Sequence, residues 1–385
     1  MKKMRVLFGL YLILAALSPA FSADFDFAKD FQKFVDDGSM PGAVAIVATP
    51  TEILVSESVG WADVASKRPM DENVQFWIAS NTKAVVAVAT MICVDEGLLD
   101  LDEPVEKYLP QLKDLKVGRA QDDGSIVLTP AASKPTLRQA LSHTAGLRFI
   151  TVYQERYGID SLPVDRLMTT VGMTPLIDEP GARYSYSNLG IDVAQAAVQA
   201  VTGVPFEQFL KERVFDPLEM TDTTFYPNEN QLERLATPYA WDSEAGALKP
   251  IRFTQMPSLD DGSPRYAEGG GGLFSSAKDF VKFYQMLGGA GVGATGKRVL
   301  SEEAVKTISS KQTGDGVAAD YGFGVTVSDE SYGHGGAYGT QAVVFRDSGV
   351  VAVYMVAVAG VPKQGEAQNI FRRDVEAFVK SQKSR

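Results

Sequence analysis

Residues 79–83 read Ala-Ser-Asn-Thr-Lys, and they lie between an aromatic, apolar segment and a long apolar run. The run from Asn81 to Glu96 is predicted to be a helix that ends at Gly97. If Ser80 opens this helix, Lys83 lies one turn further along the same face, where the two side chains can meet. A serine hydroxyl needs a neighbouring base to act as a nucleophile, and a lysine one turn away can supply it. The stretch therefore predicts a serine nucleophile for acyl transfer.

The same Ser-x-x-Lys spacing occurs a second time in the chain. Ser275 and Lys278 lie between four consecutive glycines, residues 269–272, and an amphipathic run that begins at Phe280. Ser276 followed three residues later by Asp279 is typical of a helix N-cap. Capping accounts for this second copy, so we interpret it as structural and assign the chemistry to Ser80.

The N-terminus has the pattern of a secretory signal. Three basic residues precede an apolar run over residues 6–17, and small residues follow near position 22. The apolar run is too short to span a membrane, and the small residues suit signal peptidase. The sequence therefore predicts a signal peptide over residues 1–22, cleavage after Ser22 or Ala23, and export to the periplasm or the cell exterior.

Composition narrows the class of protein. The formal net charge is −11, which disfavours a nucleic-acid partner, and the hydrophobic content of 45% favours an ordered globule. No apolar run long enough for a membrane span follows the signal. The single cysteine, Cys93, cannot form an intramolecular disulfide and is interpreted as a core residue. We expect a small-molecule substrate, while the oligomeric state stays open.

Helix-like and strand-like runs are unevenly distributed, which predicts an α+β fold. Strand-like runs occur near both ends of the chain, and the middle consists mainly of helical pieces and loops. We expect an antiparallel sheet of about five strands drawn from both termini and covered by the terminal helices. We assign residues 23–75 and 296–385 to this sheet lobe and residues 76–295 to an inserted, mainly helical lobe. A cleft between the lobes is the expected ligand site.

Few other residues are available for chemistry. His143 and His334 are the only histidines and no Gly-x-Ser-x-Gly occurs, which disfavours a Ser-His-Asp hydrolase of the nucleophile-elbow type and leaves little for zinc. We therefore expect no metal and no cofactor. Tyr186 and Asn188 follow a Pro-Gly turn and could place a phenol and an amide at the rim of a cleft, although a half-buried structural tyrosine is the alternative.

A glycine-rich segment near the C-terminus also requires an explanation. Residues 332–340 contain four glycines in a region that is otherwise strand-like. Close approach of a substrate backbone to a strand edge is one reason for such glycines, and a bulge or hairpin turn is the other.

At three places the sequence resembles the serine β-lactamase and penicillin-binding superfamily. The matching motifs are Ser-x-x-Lys at 80–83, Tyr-x-Asn at 186–188, and His-Gly-Gly at 334–336. The last of these lies where the superfamily has its third motif, Lys-Thr-Gly. The sequence is most similar to the branch that holds class C β-lactamases, D,D-carboxypeptidases, D-aminopeptidases and family VIII carboxylesterases. The resemblance runs from about Phe27 to Val379 and implies the β-lactamase/transpeptidase-like fold.

The resemblance also implies roles for individual residues. Ser80 forms an acyl-enzyme, and Lys83 and Tyr186 share the proton transfers. Asn188 positions Lys83 and the substrate, and the N–H groups of Ser80 and Ala337 form the oxyanion hole. Further residues implied to position the substrate are His334, Gly335 and Gly336. His143 belongs to a short sequence segment, residues 141–147, that also occurs in this family at a distance from the nucleophile. We therefore interpret His143 as structural.

The third motif, at residues 334–336, departs from the Lys-Thr-Gly pattern. His334 and Gly335 replace the lysine and the hydroxyl residue that help to bind a β-lactam carboxylate, so efficient β-lactamase activity is not expected. The sequence predicts an exported serine hydrolase that acts on a carboxylic ester or on a small peptide or amide, with an ester placed first. The alternatives are a D-amino-acid peptidase or D,D-carboxypeptidase, a weak β-lactamase, and a catalytically silent binding homologue.

Overall fold

The computed structural model describes residues 25–383, so the predicted signal peptide lies outside the described residues. The strands β1 to β14 are, in chain order, Gly42–Ala48, Ile53–Asp63, Arg68–Pro69, Gln75–Trp77, Lys116–Ala120, Ile126–Pro130, Tyr239–Asp242, Ala247–Pro250, Phe274–Ser276, Thr326–Val327, Ser331–Gly335, Gln341–Phe345, Val351–Met355 and Val358–Ala359. The helices α1 to α13 are Phe27–Asp36, Thr82–Asp95, Leu137–Leu141, Val152–Tyr157, Val164–Gly172, Asn188–Thr202, Phe206–Leu210, Asp216–Leu218, Glu229–Glu233, Ser258–Asp261, Ala277–Gly288, Glu302–Ile308 and Gln364–Lys383.

The main sheet joins the two ends of the chain. Its seven antiparallel strands run in the order β10-β11-β12-β13-β1-β2-β3. Strand β1 lies between β2 and β13, and Ile46 is opposite Val353. The α+β fold and the sheet built from both termini are therefore confirmed, and two short edge strands, β3 and β10, extend the predicted set of about five.

Helices cover both faces of the sheet. On one face α1 packs against α13, and the ring of Phe27 lies 6.0 Å from that of Tyr354 and 6.1 Å from that of Phe371. On the other face α11 contacts β1, β12 and β13 through buried aromatic residues. Burial on both faces explains why β1 and β13 are apolar throughout. Helix α11 lies within the range that the sequence assigned to the helical lobe, yet it packs on the sheet.

Helix α2 is the centre of the remaining structure. Every residue from Thr82 to Cys93 is buried, and the helix packs against α6. A helix that is apolar on all sides is stable only when it is surrounded by protein, and α2 fits this rule. The consequence is that Lys83, in its first turn, projects into the protein interior.

Two local predictions were wrong. The glycine-rich, polar composition of residues 118–134 predicts a loop, but β5 and β6 pair there as a hairpin around Asp123-Gly124, where Gly124 has a φ of +80°. Asp-Gly is a favoured hairpin turn, so the polar residues belong to the turn and not to a long loop. The β-rich composition from Tyr321 to Val327 predicts a strand, but the strand observed there is Thr326–Val327 alone, and Tyr321 forms an isolated bridge to Thr326. None of the helices within residues 25–383 combines the length and apolar character needed to cross a membrane.

Candidate active site

The chain turns sharply just before Ser80. Ala79 has a φ of +46°, in the left-handed region that residues other than glycine seldom adopt. Ala79–Asn81 form a 3-10 turn between β4 and α2. The turn leaves Ser80 half-buried while its neighbours on both sides are buried. The nucleophile predicted from the sequence is therefore the accessible residue at the start of a buried helix.

Lys83 lies close to Ser80 and is completely buried. Its Nζ is 3.2 Å from Ser80 Oγ, donates to Asn188 Oδ1 at 2.7 Å, and donates to the carbonyl oxygen of Gly270. An uncharged amine has two hydrogens, and the Asn188 and Gly270 oxygens can accept both. The lone pair then remains for the Ser80 hydroxyl, which is the geometry a general base needs.

The protein interior keeps a larger fraction of Lys83 unprotonated at moderate pH. Burial lowers the pKa of Lys83 to about 8, while the carboxyls of Glu268 and Asp192 act in the opposite direction. Desolvation disfavours the charged form of any amine, and nearby negative charge favours it. The balance leaves an amine that loses its proton far more readily than an exposed lysine.

Tyr186 lies beside both residues of the first motif. The Nζ of Lys83 is 4.8 Å from the centroid of the Tyr186 ring. Burial raises the pKa of Tyr186, and the neighbouring Ser80 hydroxyl only partly opposes this shift. The phenol is therefore uncharged at neutral pH and suits proton donation better than proton abstraction.

His143 supports the segment that carries Tyr186. Its ring centroid is 4.5 Å from that of Tyr186, and its Nδ1 accepts the N–H of Ser187 at 3.2 Å. Ser187 in turn caps α6 by accepting the N–H of Gly190 at 2.9 Å. Burial holds the pKa of His143 well below its usual range, so the imidazole is neutral. These contacts suit a residue that positions Tyr186 and Asn188.

The C-terminal end of strand β11, beyond its pairing with β10, forms the opposite side of the site. The ring of His334 stacks on Tyr186 with centroids 6.1 Å apart and planes at 24°. Burial and the charge of Lys83 lower the pKa of His334. The position that carries a lysine in the Lys-Thr-Gly pattern is therefore uncharged here at neutral pH.

Gly336 explains part of the glycine-rich segment. An added Cβ there would overlap Thr340 Oγ1 and the carbonyl oxygen of Ile78. Gly335 is exposed, and an added Cβ would have no neighbour closer than 3.7 Å. The close approach at Gly336 is thus made by other atoms of the protein, one side-chain oxygen and one backbone oxygen, next to the turn that carries Ser80. Ala337 begins a second 3-10 turn, Ala337–Gly339, which contacts the Ser80 turn.

Asn81 joins the two sides of the site. With its amide in the orientation that satisfies both neighbours, Nδ2 donates to the carbonyl oxygen of His334 at 2.9 Å and Oδ1 accepts the N–H of Gly336 at 3.2 Å. A fully buried amide that bridges two segments fixes their separation. The structure thus brings together Ser80, the residue that follows it, and the strand edge predicted to position the substrate.

Two acidic residues that lie behind Lys83 were not predicted from the sequence. Asp192 and Glu268 are fully buried, and both act on the charge of Lys83. A signal was available for one of them, because Asn188 and Asp192 are spaced i, i+4 in a helix whose intervening residues are apolar. Glu268 directly precedes the four glycines at 269–272 and has no comparable local pattern.

The rim of the site is aromatic. Phe149 stacks on Tyr186 at 6.1 Å and remains 44% exposed. Helix α4 follows it in the chain and exposes three further apolar or aromatic residues, which are Val152, Tyr153 and Tyr157. On the other side the ring of Tyr338 lies 5.3 Å from Trp77 and 5.0 Å from Phe253. Exposed aromatic surface beside a reactive serine favours substrates with apolar groups.

The fold and the grouped serine, lysine, tyrosine and asparagine define a β-lactamase-type protein. The chain belongs to the Beta-lactamase family, whose model matches residues 27–377. The resemblance inferred from the three motifs is therefore confirmed.

Similar proteins narrow the class to hydrolases and acyltransferases. The chain is 32% identical to esterase EstB of Burkholderia gladioli over 301 residues, which is 71% of this chain and 70% of EstB. It is 31% identical to lovastatin esterase of Penicillium rubens over 269 residues, 67% of this chain and 66% of that enzyme. The structure of EstCE1, a hydrolase with promiscuous acyltransferase activity, shares the fold with a TM-score of 0.73 at 23% identity, covering 91% of this chain and 97% of EstCE1.

Proposed function

We propose that this protein is an exported serine esterase that forms an acyl-enzyme on Ser80. The observation that carries the proposal is the buried Nζ of Lys83, 3.2 Å from Ser80 Oγ, with its other two contacts made to acceptor oxygens. Such a lysine can accept the serine proton without a histidine or a metal.

The proposed acylation follows from these contacts. Ser80 Oγ attacks the ester carbonyl, and its proton passes to Lys83 Nζ. The proposed oxyanion donors are the N–H groups of Ser80 and Ala337, which belong to two turns in contact with each other. Tyr186 donates its proton to the departing alkoxide and regains one from Lys83. Water then attacks the acyl-enzyme by the reverse sequence and releases the acid.

An ester is favoured over a peptide that ends in a carboxylate. A free carboxylate needs a positive charge in the site, but His334 is neutral at neutral pH and Gly335 has no side chain. The exposed ring of Phe149 instead offers contact to an apolar acyl or alcohol group. The names of the relatives EstB and lovastatin esterase support the same substrate class.

Acyl transfer to an alcohol is the second candidate function. The described activity of EstCE1 includes acyl transfer, and the open aromatic rim around Phe149 could hold an acceptor alcohol in place of water. Adding an alcohol to the ester assay distinguishes the two, because a transferase yields the new ester and a hydrolase yields only the acid.

The chain itself contains a matched control for the test of Ser80. We expect Ser80→Ala and Lys83→Ala to lose about a thousandfold or more in kcat/KM on p-nitrophenyl butyrate. The second motif provides Ser275→Ala and Lys278→Ala, in which the serine bonds Thr223 and the lysine lies near Glu72 at the surface. These two variants should keep their activity.

Covalent labelling identifies the nucleophile directly. Intact-mass analysis after treatment with a fluorophosphonate should show one adduct, on the peptide that contains Ser80. Labelling that persists in Ser80→Ala, or turnover that persists in both Ser80→Ala and Lys83→Ala, would rule out the proposed nucleophile. Absence of label and of turnover in the wild type would favour the binding homologue.

A further inference from the structure

Helix α6 carries a buried polar stripe. Asn188, Asp192 and Gln195 follow one another at spacings of four and three residues, so they lie on one face of the helix. All three side chains are more than nine-tenths buried. Asn188 contacts Lys83, and Asp192 lies one turn further into the protein. A carboxyl in such a position needs a specific partner, because burying a charge without one is very costly.

Asp192 and Lys83 hold the same glycine from two sides. Asp192 Oδ1 accepts the N–H groups of Gly269 and Gly270 at 3.1 and 3.2 Å. The carbonyl oxygen of Gly270 accepts from Lys83 Nζ. Two backbone donors favour the ionised form of Asp192, as does the charge of Lys83, while burial raises its pKa to about 7.

Glu268 lies beside them, and only the nearby N–H of Gly271 and the charge of Lys83 favour its ionised form. Both of its side-chain oxygens are buried and have no hydrogen-bond partner among residues 25–383. An added Cβ at Gly270 would overlap Glu268 Oε1, so this carboxyl also touches Gly270. Burial raises the pKa of Glu268 well above its usual range. An ionised carboxylate without donors is far more costly in the interior than a neutral acid.

We propose that Asp192 is the buried counter-ion of Lys83 and that Glu268 remains a neutral acid next to it, so that the pair holds one negative charge behind the lysine. The inference rests on the proposed function, in which Lys83 gains the proton of Ser80. The ammonium formed in this dry interior needs an opposite charge, and Asp192 supplies it. Asp192 touches no reacting atom and is therefore a positioning residue.

The other titratable groups around Lys83 do not supply this charge. From the remaining elements packed around the lysine, these groups are Tyr186 before α6, His143 after α3 and His334 on β11. Burial keeps the phenol protonated and both imidazoles neutral at neutral pH. Asp160 acts on Glu268 and raises its pKa further. The two carboxyls behind Gly270 are thus the groups that decide the charge opposite Lys83.

Two isosteric variants test the division of roles. Asp192→Asn keeps an oxygen for the two glycine N–H groups but removes the charge, and Glu268→Gln reproduces the shape of a protonated acid. In Asp192→Asn the acid limb of the pH profile of kcat/KM should shift to lower pH by about one to three units. The plateau kcat should fall about threefold to tenfold with KM nearly unchanged, because the lysine becomes a weaker base. In Glu268→Gln the limb should move by less than about half a unit.

Asp279→Asn is the matched control. Asp279 is also a buried carboxyl, but its partners are the N–H of Asp222 and the side chain of Lys282 on α11. A general packing defect would lower activity without moving the acid limb in any variant. The proposal is overturned if the limb stays in place in Asp192→Asn, or if Glu268→Gln moves it as far. Should Asp192→Asn not fold, Glu268→Gln decides alone: an unmoved limb supports the neutral acid, and a limb moved by about one unit overturns it.

A failure of the proposed function would look different. The wild type would then not react with the fluorophosphonate at any pH, and the charge pair can be measured by unfolding instead. The pKa of Lys83 is about 8 in the fold and ordinarily 10.5, so between these values the unfolded chain binds more protons and the free energy of unfolding rises with pH. In Asp192→Asn this rise should begin at lower pH than in the wild type. An unchanged onset overturns the counter-ion role without reference to catalysis.

Discussion

Gly336→Ala should damage the site through steric overlap alone. Gly336 has a φ of −105° and a ψ of 155°, an extended conformation that alanine adopts freely. The added methyl group would nevertheless lie about 1 Å inside van der Waals contact with Thr340 Oγ1 and with the carbonyl oxygen of Ile78. Because Ile78 immediately precedes the turn that carries Ser80, the overlap can be relieved only by separating that turn from β11.

The structure sets the expected size of the effect. Overpacking of a filled interior costs about 1–3 kcal/mol in the free energy of unfolding. A displacement of about 1 Å between the nucleophile and the strand edge costs roughly a hundredfold in kcat/KM. We expect both losses in Gly336→Ala, measured by urea unfolding and by hydrolysis of p-nitrophenyl butyrate.

Two other glycines serve as controls. Gly365→Ala, in α13, places a methyl group with no neighbour within 4 Å and should leave both stability and activity unchanged. Gly335→Ala, directly beside Gly336, should leave the unfolding free energy within about 0.5 kcal/mol of the wild type. If Gly336→Ala unfolds like Gly365→Ala and hydrolyses the ester at the wild-type rate, the steric argument is wrong.

Three further results are expected. The kcat/KM of the wild type should rise with pH through about 8, because Lys83 must lose its proton. It should not fall again below about pH 10, because burial raises the pKa of Tyr186. A flat profile over that range would contradict a lysine base. Phe149→Ala should raise KM for aryl esters about fivefold, with a smaller change for methyl esters, since part of an apolar contact is lost; equal changes for both would show that the ring does not contact the substrate. The exported chain should begin at Ala23 or Asp24 by intact mass, and a secreted product that retains Met1 would contradict a cleaved signal.

Local sequence determined the central pair of residues. Ser80 and Lys83 meet because a helical turn brings residues three apart onto one face, and this holds wherever the helix lies in the fold. The N-cap at Ser276, which accepts the N–H of Asp279 at 3.3 Å, was predicted for the same reason. The helical spacing of Phe27, Phe31 and Phe34 likewise specifies α1, and the strand-like runs on either side of residues 49–51 specify the hairpin of β1 and β2. Each of these features depends on residues within one turn or one strand pair.

The tertiary structure alone decided the environment of that pair. Ile46 lies opposite Val353 in the sheet, and Lys83 meets Gly270 and the acidic pair at Asp192 and Glu268, although these residues are far apart in the chain. No local pattern specifies how deeply a lysine is buried or which carboxyl faces it, yet burial and nearby charge set its pKa. Local sequence specifies which groups can react. The packing of distant segments sets their protonation states and their distances, because desolvation and steric contact arise only in the folded chain.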